Sequence, residues 1–85
     1  MIAEIKKLLK QDKLILGLDL TTKALRNSKV NKVFYAKNTP EVVKQDLMHY
    51  AKIGNVDIEE LELDNDELGD VCKKPFKIAV ISVKE

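Results

Sequence analysis

The chain has 85 residues, 45% of them hydrophobic and 34% charged, with a formal net charge of +1. A chain of this size buries only about 60% of its unfolded surface, which argues for one domain over residues 1–85 and against a deep multi-cofactor cleft, and its composition is globular rather than disordered. The longest apolar runs, Leu14-Ile15-Leu16 and Ile78-Ala79-Val80-Ile81, fall far short of the roughly 20 residues of a membrane span.

Ile2, Ile5 and Leu9 repeat at helical spacing, so residues 2–11 are expected to form a short amphipathic helix. Leu14–Leu16 reads as a buried strand. A second helix is expected over Thr21–Ser28, opening near Leu20 or Thr21, with Ala24 and Leu25 inward and Lys23, Arg26 and Asn27 outward. Lys32–Ala36 reads as a second strand. Thr39 and Pro40 then give the clearest helix start in the chain: a hydroxyl cap followed by a residue that needs no amide hydrogen. Val43, Leu47, Tyr50 and Ala51 make one apolar helical face, and Gly54-Asn55 ends it. Val56–Leu63 reads as a third strand, with a bulge or late start where the apolar spacing shifts between Ile58 and Leu61. Asp64 and Glu67 form a capping-box pattern opening a helix over about residues 65–73. Gly69 inside that helix implies close backbone packing, since glycine there costs about 1 kcal/mol relative to alanine. Lys77–Lys84 closes the chain as an apolar strand. Four alternations of helix and strand argue for an α/β fold, a three-layer α/β/α sandwich around a four-stranded mixed sheet.

The near-neutral charge hides an asymmetry. Between Met1 and Val33, eight bases (Lys6, Lys7, Lys10, Lys13, Lys23, Arg26, Lys29, Lys32) face three acids (Glu4, Asp12, Asp19). Residues 57–70 carry eight acids and no base. Such asymmetry hints at a basic binding surface.

Enzyme chemistry finds no constellation. His49 stands near Asp46 on an expected helix surface, and Cys72, the one cysteine, falls on an inner helix face with Leu68. Neither has a partner at metal-ligand spacing. A lone cysteine gives no disulfide and fits a reduced, cytoplasmic setting; Glu4, Lys6 and Lys7 stand where a signal peptide would need apolar residues. Asp64-Asn65-Asp66 begins like a calcium loop, but Leu68 takes the fifth position and no Glu closes it. The three glycines are too far apart for a phosphate loop. No cofactor or metal is expected.

Two strand–helix junctions carry what binding chemistry there is. Gly17 permits close backbone approach, the helix after it offers free amides and the positive end of its dipole, and Lys23 and Arg26 follow three apart. At the other junction, Phe76 follows Pro75 among lysines, which favours partial exposure.

Gly17 with Thr21-Thr22-Lys23-Ala24, Tyr35-Ala36-Lys37-Asn38-Thr39-Pro40, His49-Tyr50-Ala51, Glu67-Leu68-Gly69 and Phe76-Lys77-Ile78 occur in this order over nearly the whole chain. In that order and spacing the chain resembles the kink-turn RNA-binding ribosomal-protein superfamily of the large-subunit proteins "L-seven-Ae" and "L-thirty-e". The Asn38-Thr39-Pro40 and Phe76-Lys77-Ile78 stretches look closest to the thirty-e branch.

The resemblance implies a sharply bent internal-loop RNA with sheared G·A pairs and a splayed base, met in the ribosome or another ribonucleoprotein. It implies that the backbone at Gly17 and the residues Asp19, Leu20 and Thr21 face the RNA. Lys23 would contact phosphate or a guanine edge, with Arg26 beside it, and Asn38 would add a hydrogen bond. Phe76 and Ile78 would make an apolar platform, and Lys77 would meet a phosphate.

The chain departs from the family pattern at Asp19 and Leu20. Kink-turn binders usually carry Asn or Lys two residues after this glycine, often followed by Glu. A carboxylate accepts from guanine N–H groups but cannot donate to a guanine carbonyl oxygen. A protein-interaction module on the same fold, using the acidic 57–70 stretch, is therefore the alternative expectation.

Overall fold

The structure, a computed structural model, describes residues 2–27 and 29–84, with the side chain of Ile2 excepted. Its elements are α1 (Ile2–Lys10), β1 (Leu14–Leu16), α2 (Leu18–Arg26), β2 (Val30–Tyr35), α3 (Glu41–Gly54), β3 (Asp57–Glu60), α4 (Asn65–Val71) and β4 (Val80–Lys84). The sheet order is β1-β4-β2-β3. β2 and β3 are parallel, and β4 runs antiparallel to both β1 and β2, so the sheet is mixed.

Alternation along the strands assigns each side chain to a layer. Leu14, Phe34 and Ile81 point to one face and form a core with Ile5 of α1, Leu68 of α4 and Cys72 at the C-terminal cap of α4. Val33, Tyr35 and Val80 point to the other face and pack with Ala24 and Leu25 of α2 and Leu47 of α3. The register places Leu16 and Phe34 on either side of Ile81, one apolar row across three strands. Helices thus cover both faces, giving the α/β/α sandwich that the alternation predicts.

The shift of apolar spacing between Ile58 and Leu61 is not a bulge. Ile58 packs in the α2–α3 layer and Leu61 in the α1–α4 layer, because both faces of this strand are covered. β3 stops at Glu60, although the Leu61 amide still donates to the Tyr35 carbonyl. A register shift lies between Val30 and Lys32, opposite β4.

Helix ends follow local chemistry. Asp64 caps α4 through the Glu67 amide at 2.8 Å, and the Glu67 carboxylate accepts from the Asp64 amide at 3.1 Å, completing the capping box. Asn55 takes the left-handed conformation (φ 54°) beyond α3. Thr39 is not a cap: its hydroxyl reaches the Ala79 carbonyl at 3.5 Å, and Pro40 occupies the capping position itself. The second helix opens at Leu18, two to three residues ahead of the expected start, and Arg26 is its last residue; Ser28, its expected end, lies outside the described residues.

Candidate nucleic-acid interface

The C-terminal ends of β1, β2 and β3 and the start of β4 share one end of the sheet. Four connections therefore converge there, and the segment leading from Phe76 into Val80 is bonded to each of the others. The Gly17 amide donates to the Val80 carbonyl (2.9 Å), the Ala36 amide to the Ala79 carbonyl (2.7 Å), and the Ile78 amide to the Asn65 carbonyl (3.1 Å). Below them, Gly69 lies so close to the Phe76 carbonyl that an added Cβ would fall 2.3 Å from its oxygen. The glycine expected to allow close packing does so, and what it admits is the backbone of the Phe76 loop.

Gly17 has φ 104°, a conformation suited to glycine, and a Cβ there would meet no atom within 4 Å. The space in front of it is open. It caps α2 without a side chain, leaving the amides of Leu18, Asp19 and Leu20 as the free donors of the helix start. Asp19 sits in that first turn, where its carboxylate favours the helix dipole by about 0.3–1 kcal/mol. Leu20 is 59% exposed, unusual for a leucine on a helix that has a buried face available.

The remaining predicted residues divide. Phe76 is 59% exposed, so its ring stands in solvent. Lys77 is exposed beside it, with its ammonium only loosely drawn to Asp66 at 3.9 Å. Ile78 does not share the platform: in the irregular segment before β4 its side chain turns into the α1–α4 core, where it is 2% exposed. Thr21 is not a surface contact either. Because α2 starts at Leu18, the stripe of Thr21, Ala24 and Leu25 faces inward, and the Thr21 hydroxyl bonds the Ser82 hydroxyl at 3.1 Å in full burial. Lys23 and Arg26 diverge. Lys23 lines a groove over the edge strand β1 with Leu20, whereas Arg26 donates to the Tyr50 hydroxyl (3.2 Å) and lies over its ring, fastening α2 to α3.

Asn38 has a structural partner that its sequence position does not reveal. Its Nδ2 donates to Asn65 Oδ1, and its Oδ1 accepts from the Asn65 amide, both at 3.0 Å. The side-chain amide keeps one donor and one acceptor site for a ligand. Asn38→Ala is expected to lower unfolding stability by about 1–2 kcal/mol through the two lost bonds, measurable by urea titration; an unchanged midpoint would show that the clasp holds nothing. Asn65 is the residue that sequence reading passed over, masked by the stronger capping signal of Asp64 and Glu67. Lys74, which shares a concavity with Phe76, Lys77 and the carboxylates of Asp66 and Asp70, was legible only as one of the lysines around Pro75.

Much of the acidic 57–70 stretch is occupied within the fold. Glu59 pairs with Lys32 (3.4 Å) and Glu60 with Lys44 (3.0 Å), the latter contact raising the lysine pKa. Asp64 and Glu67 make the cap. Cys72 is buried at 1% exposure, and that burial pushes its thiol pKa up, which suits a packing residue rather than a nucleophile. His49 is exposed. Among the described residues no three His, Cys, Asp or Glu side chains gather to hold a metal, and no helix is long and apolar enough to cross a membrane.

The chain is thus a three-layer α/β/α domain with an exposed aromatic, a glycine and lysines on the loops at one sheet end. The whole chain, residues 1–85, matches the model of the Ribosomal protein L7Ae/L30e/S12e/Gadd45 family, and it belongs to that family. Among curated proteins it is 41% identical to the large ribosomal subunit protein eL30 of Saccharolobus solfataricus, over 94% of this chain and 74% of the relative. It is 36% identical to the eL30 protein of Sulfurisphaera tokodaii, over 95% and 76% respectively. These relatives are named as ribosomal proteins, not enzymes. Among solved structures, a protein of unknown function from Bacillus halodurans C superposes with a TM-score of 0.89 at 19% identity, covering 99% of this chain and 83% of that one. A Giardia lamblia 15.5kD RNA binding protein gives a TM-score of 0.87 at 16% identity, covering 99% and 70%. At these identities the solved structures speak to the fold alone.

Proposed function

We propose that the chain is a ribosomal RNA-binding protein and that it recognises a sharply bent internal-loop RNA of the kink-turn kind at this sheet end, in the ribosome or another ribonucleoprotein. The observation that carries the reading is Phe76, 59% exposed on a segment tied by backbone hydrogen bonds to all three neighbouring junctions. A fixed aromatic in solvent offers a splayed base a stacking surface without an ordering cost. Lys77 and Lys74 beside it, and the open approach at Gly17, supply cations and backbone donors for phosphate and base edge. The relatives named as large ribosomal subunit proteins support the same ligand class.

Asp19 is the residue that tunes this reading. Its carboxylate faces outward from the first turn of α2, where it repels a phosphate and cannot donate. Titration calorimetry of the native chain and Asp19→Lys against one kink-turn RNA and a straight duplex of equal length tests it. The native chain is expected to prefer the kinked RNA, and the variant to bind it about tenfold more tightly, while losing about 0.3–1 kcal/mol of stability at the helix start. No preference for kinked over straight RNA by either protein, at moderate salt, overturns the proposal.

A second reading, protein docking on the same fold, draws on Leu20, exposed where a polar RNA contact is usual. It predicts a partner retained in pull-downs after nuclease treatment. The occupied carboxylates of residues 59–67 leave it less charge to work with than the sequence suggests.

A further inference from the structure

We propose that Lys6, Lys10 and Lys73 form a second RNA-backbone site on the α1–α4 face, gripping the phosphates of an RNA helix outside the looped nucleotides. The three lysines and Leu9 line one cleft of about 220 Å³, several times the roughly 30 Å³ that a water takes up. All three are exposed, and none pairs with a carboxylate among the described residues.

Two features of the cleft carry a cost to the fold. Lys6 and Lys10 stand four apart on α1, a like-charge spacing that weakens a helix, partly offset because Lys10 lies in the last turn. Lys73 has φ 58°. It is the left-handed residue of a complete helix-ending motif: its amide donates to the Asp70 carbonyl and the Lys74 amide to the Gly69 carbonyl, both at 3.0 Å. Two other helices end the same way, with Asp12 (φ 55°) and Asn55 (φ 54°) in the left-handed position. Asp and Asn tolerate that conformation. Lysine has no such side chain, and a glycine would be favoured there, although a cation past the last turn recovers part of the difference from the helix dipole. Strain of this sort, held beside two unpaired lysines, points to a ligand.

Position identifies the ligand's class. Lys73 and Lys74 are consecutive, and Lys74 belongs to the concavity that holds Phe76 and Lys77. Cations therefore run from the platform, past the carboxylate of Asp70, to the C-terminal end of α4 and onto α1. A phosphodiester backbone leaving Phe76 along this flank meets the cleft. The proposal shares only its ligand class with the reading above, and its test needs no bent loop.

The probe is a short blunt RNA duplex without an internal loop, followed by fluorescence anisotropy of the full chain over a salt series. The triple variant Lys6→Gln, Lys10→Gln, Lys73→Gln is expected to lose about tenfold to a hundredfold in affinity at low salt. Its log K against log salt slope should flatten by about 2–3, close to one per phosphate contact. A charge-matched triple, Lys13→Gln, Lys29→Gln, Lys52→Gln, should leave the slope within about 1 of the native value. Lys73→Gly separates folding from binding: its melting temperature should rise while its slope flattens by about 1. Equal losses in the two triples, or unchanged duplex binding by Lys73→Gly, overturn the site. If instead the cleft variants lose duplex binding and Phe76→Ala leaves looped-RNA binding untouched, the cleft stands and the platform reading falls.

Discussion

Gly69→Ala should unfold at a temperature about 10–20 °C below the native chain, the shift expected of a loss of about 2–3 kcal/mol in a domain of this size. Helix propensity alone predicts the opposite, since alanine is favoured over glycine in a helix by about 1 kcal/mol. The difference is a carbonyl. The new Cβ would lie 2.3 Å from the Phe76 oxygen and 3.5 Å from the Lys77 Cα. Backbone cannot swing aside as a lysine tip would, and this backbone is held on both flanks. The Lys74 amide is bonded to Gly69 itself, and the Ile78 amide to Asn65 at the start of the same helix. Either the loop lifts from α4, taking Ile78 out of the core, or the helix shifts. Circular dichroism melting with and without urea reads the loss. A melting temperature above the native one would mean that the loop yields freely and does not fix Phe76 in place. If the loop lifts, affinity for the looped RNA should fall with stability, because the ring loses its fixed position.

Phe76→Ala is expected to do the reverse: leave the fold intact and remove binding. With the ring 59% exposed, its loss should change stability by no more than about 0.5 kcal/mol. Stacking of a base on an aromatic is worth about 1–3 kcal/mol, so affinity for a kink-turn RNA should fall about tenfold to a hundredfold. Phe76→Trp should retain binding and Phe76→Leu should lose most of it, since leucine keeps the apolar surface and lacks the π-face. Calorimetry on the three variants checks this. Equal affinity for Phe76→Leu and the native chain would mean that the ring acts only as an apolar plug, and equal affinity for Phe76→Ala would remove the platform from the interface.

The layers were legible because strands and helices here carry their periodicity openly. The capping box at Asp64 and Glu67 and the terminator Asn55 were readable as local chemistry, since each works within four residues of chain. What was not legible is chemistry between distant segments. Thr21 reads as an outward polar residue until α2 is seen to begin at Leu18, which turns the hydroxyl toward Ser82, sixty-one residues away. Asn38 reads as a free ligand contact until Asn65 takes up half of its hydrogen-bonding capacity. Ile78 reads as surface-bound beside Phe76, since extended backbone keeps residues two apart on one side, but the segment is irregular before β4 begins at Val80 and Ile78 goes into the core. Ile58 and Leu61 misled for a similar reason: two buried faces in one strand imitate an irregularity.

The position of β4 has a consequence for synthesis. The strand between β1 and β2 is the last of the eight elements in chain order, and β1 has no hydrogen-bonded neighbour in the sheet but β4. A growing chain can pair β2 with β3 as it emerges, yet β1 has no strand to pair with until residues 80–84 are out. That end of the sheet therefore closes only once residues 80–84 have joined it, and nascent chain stalled before Val80 should carry β1 unpaired and exposed to proteases.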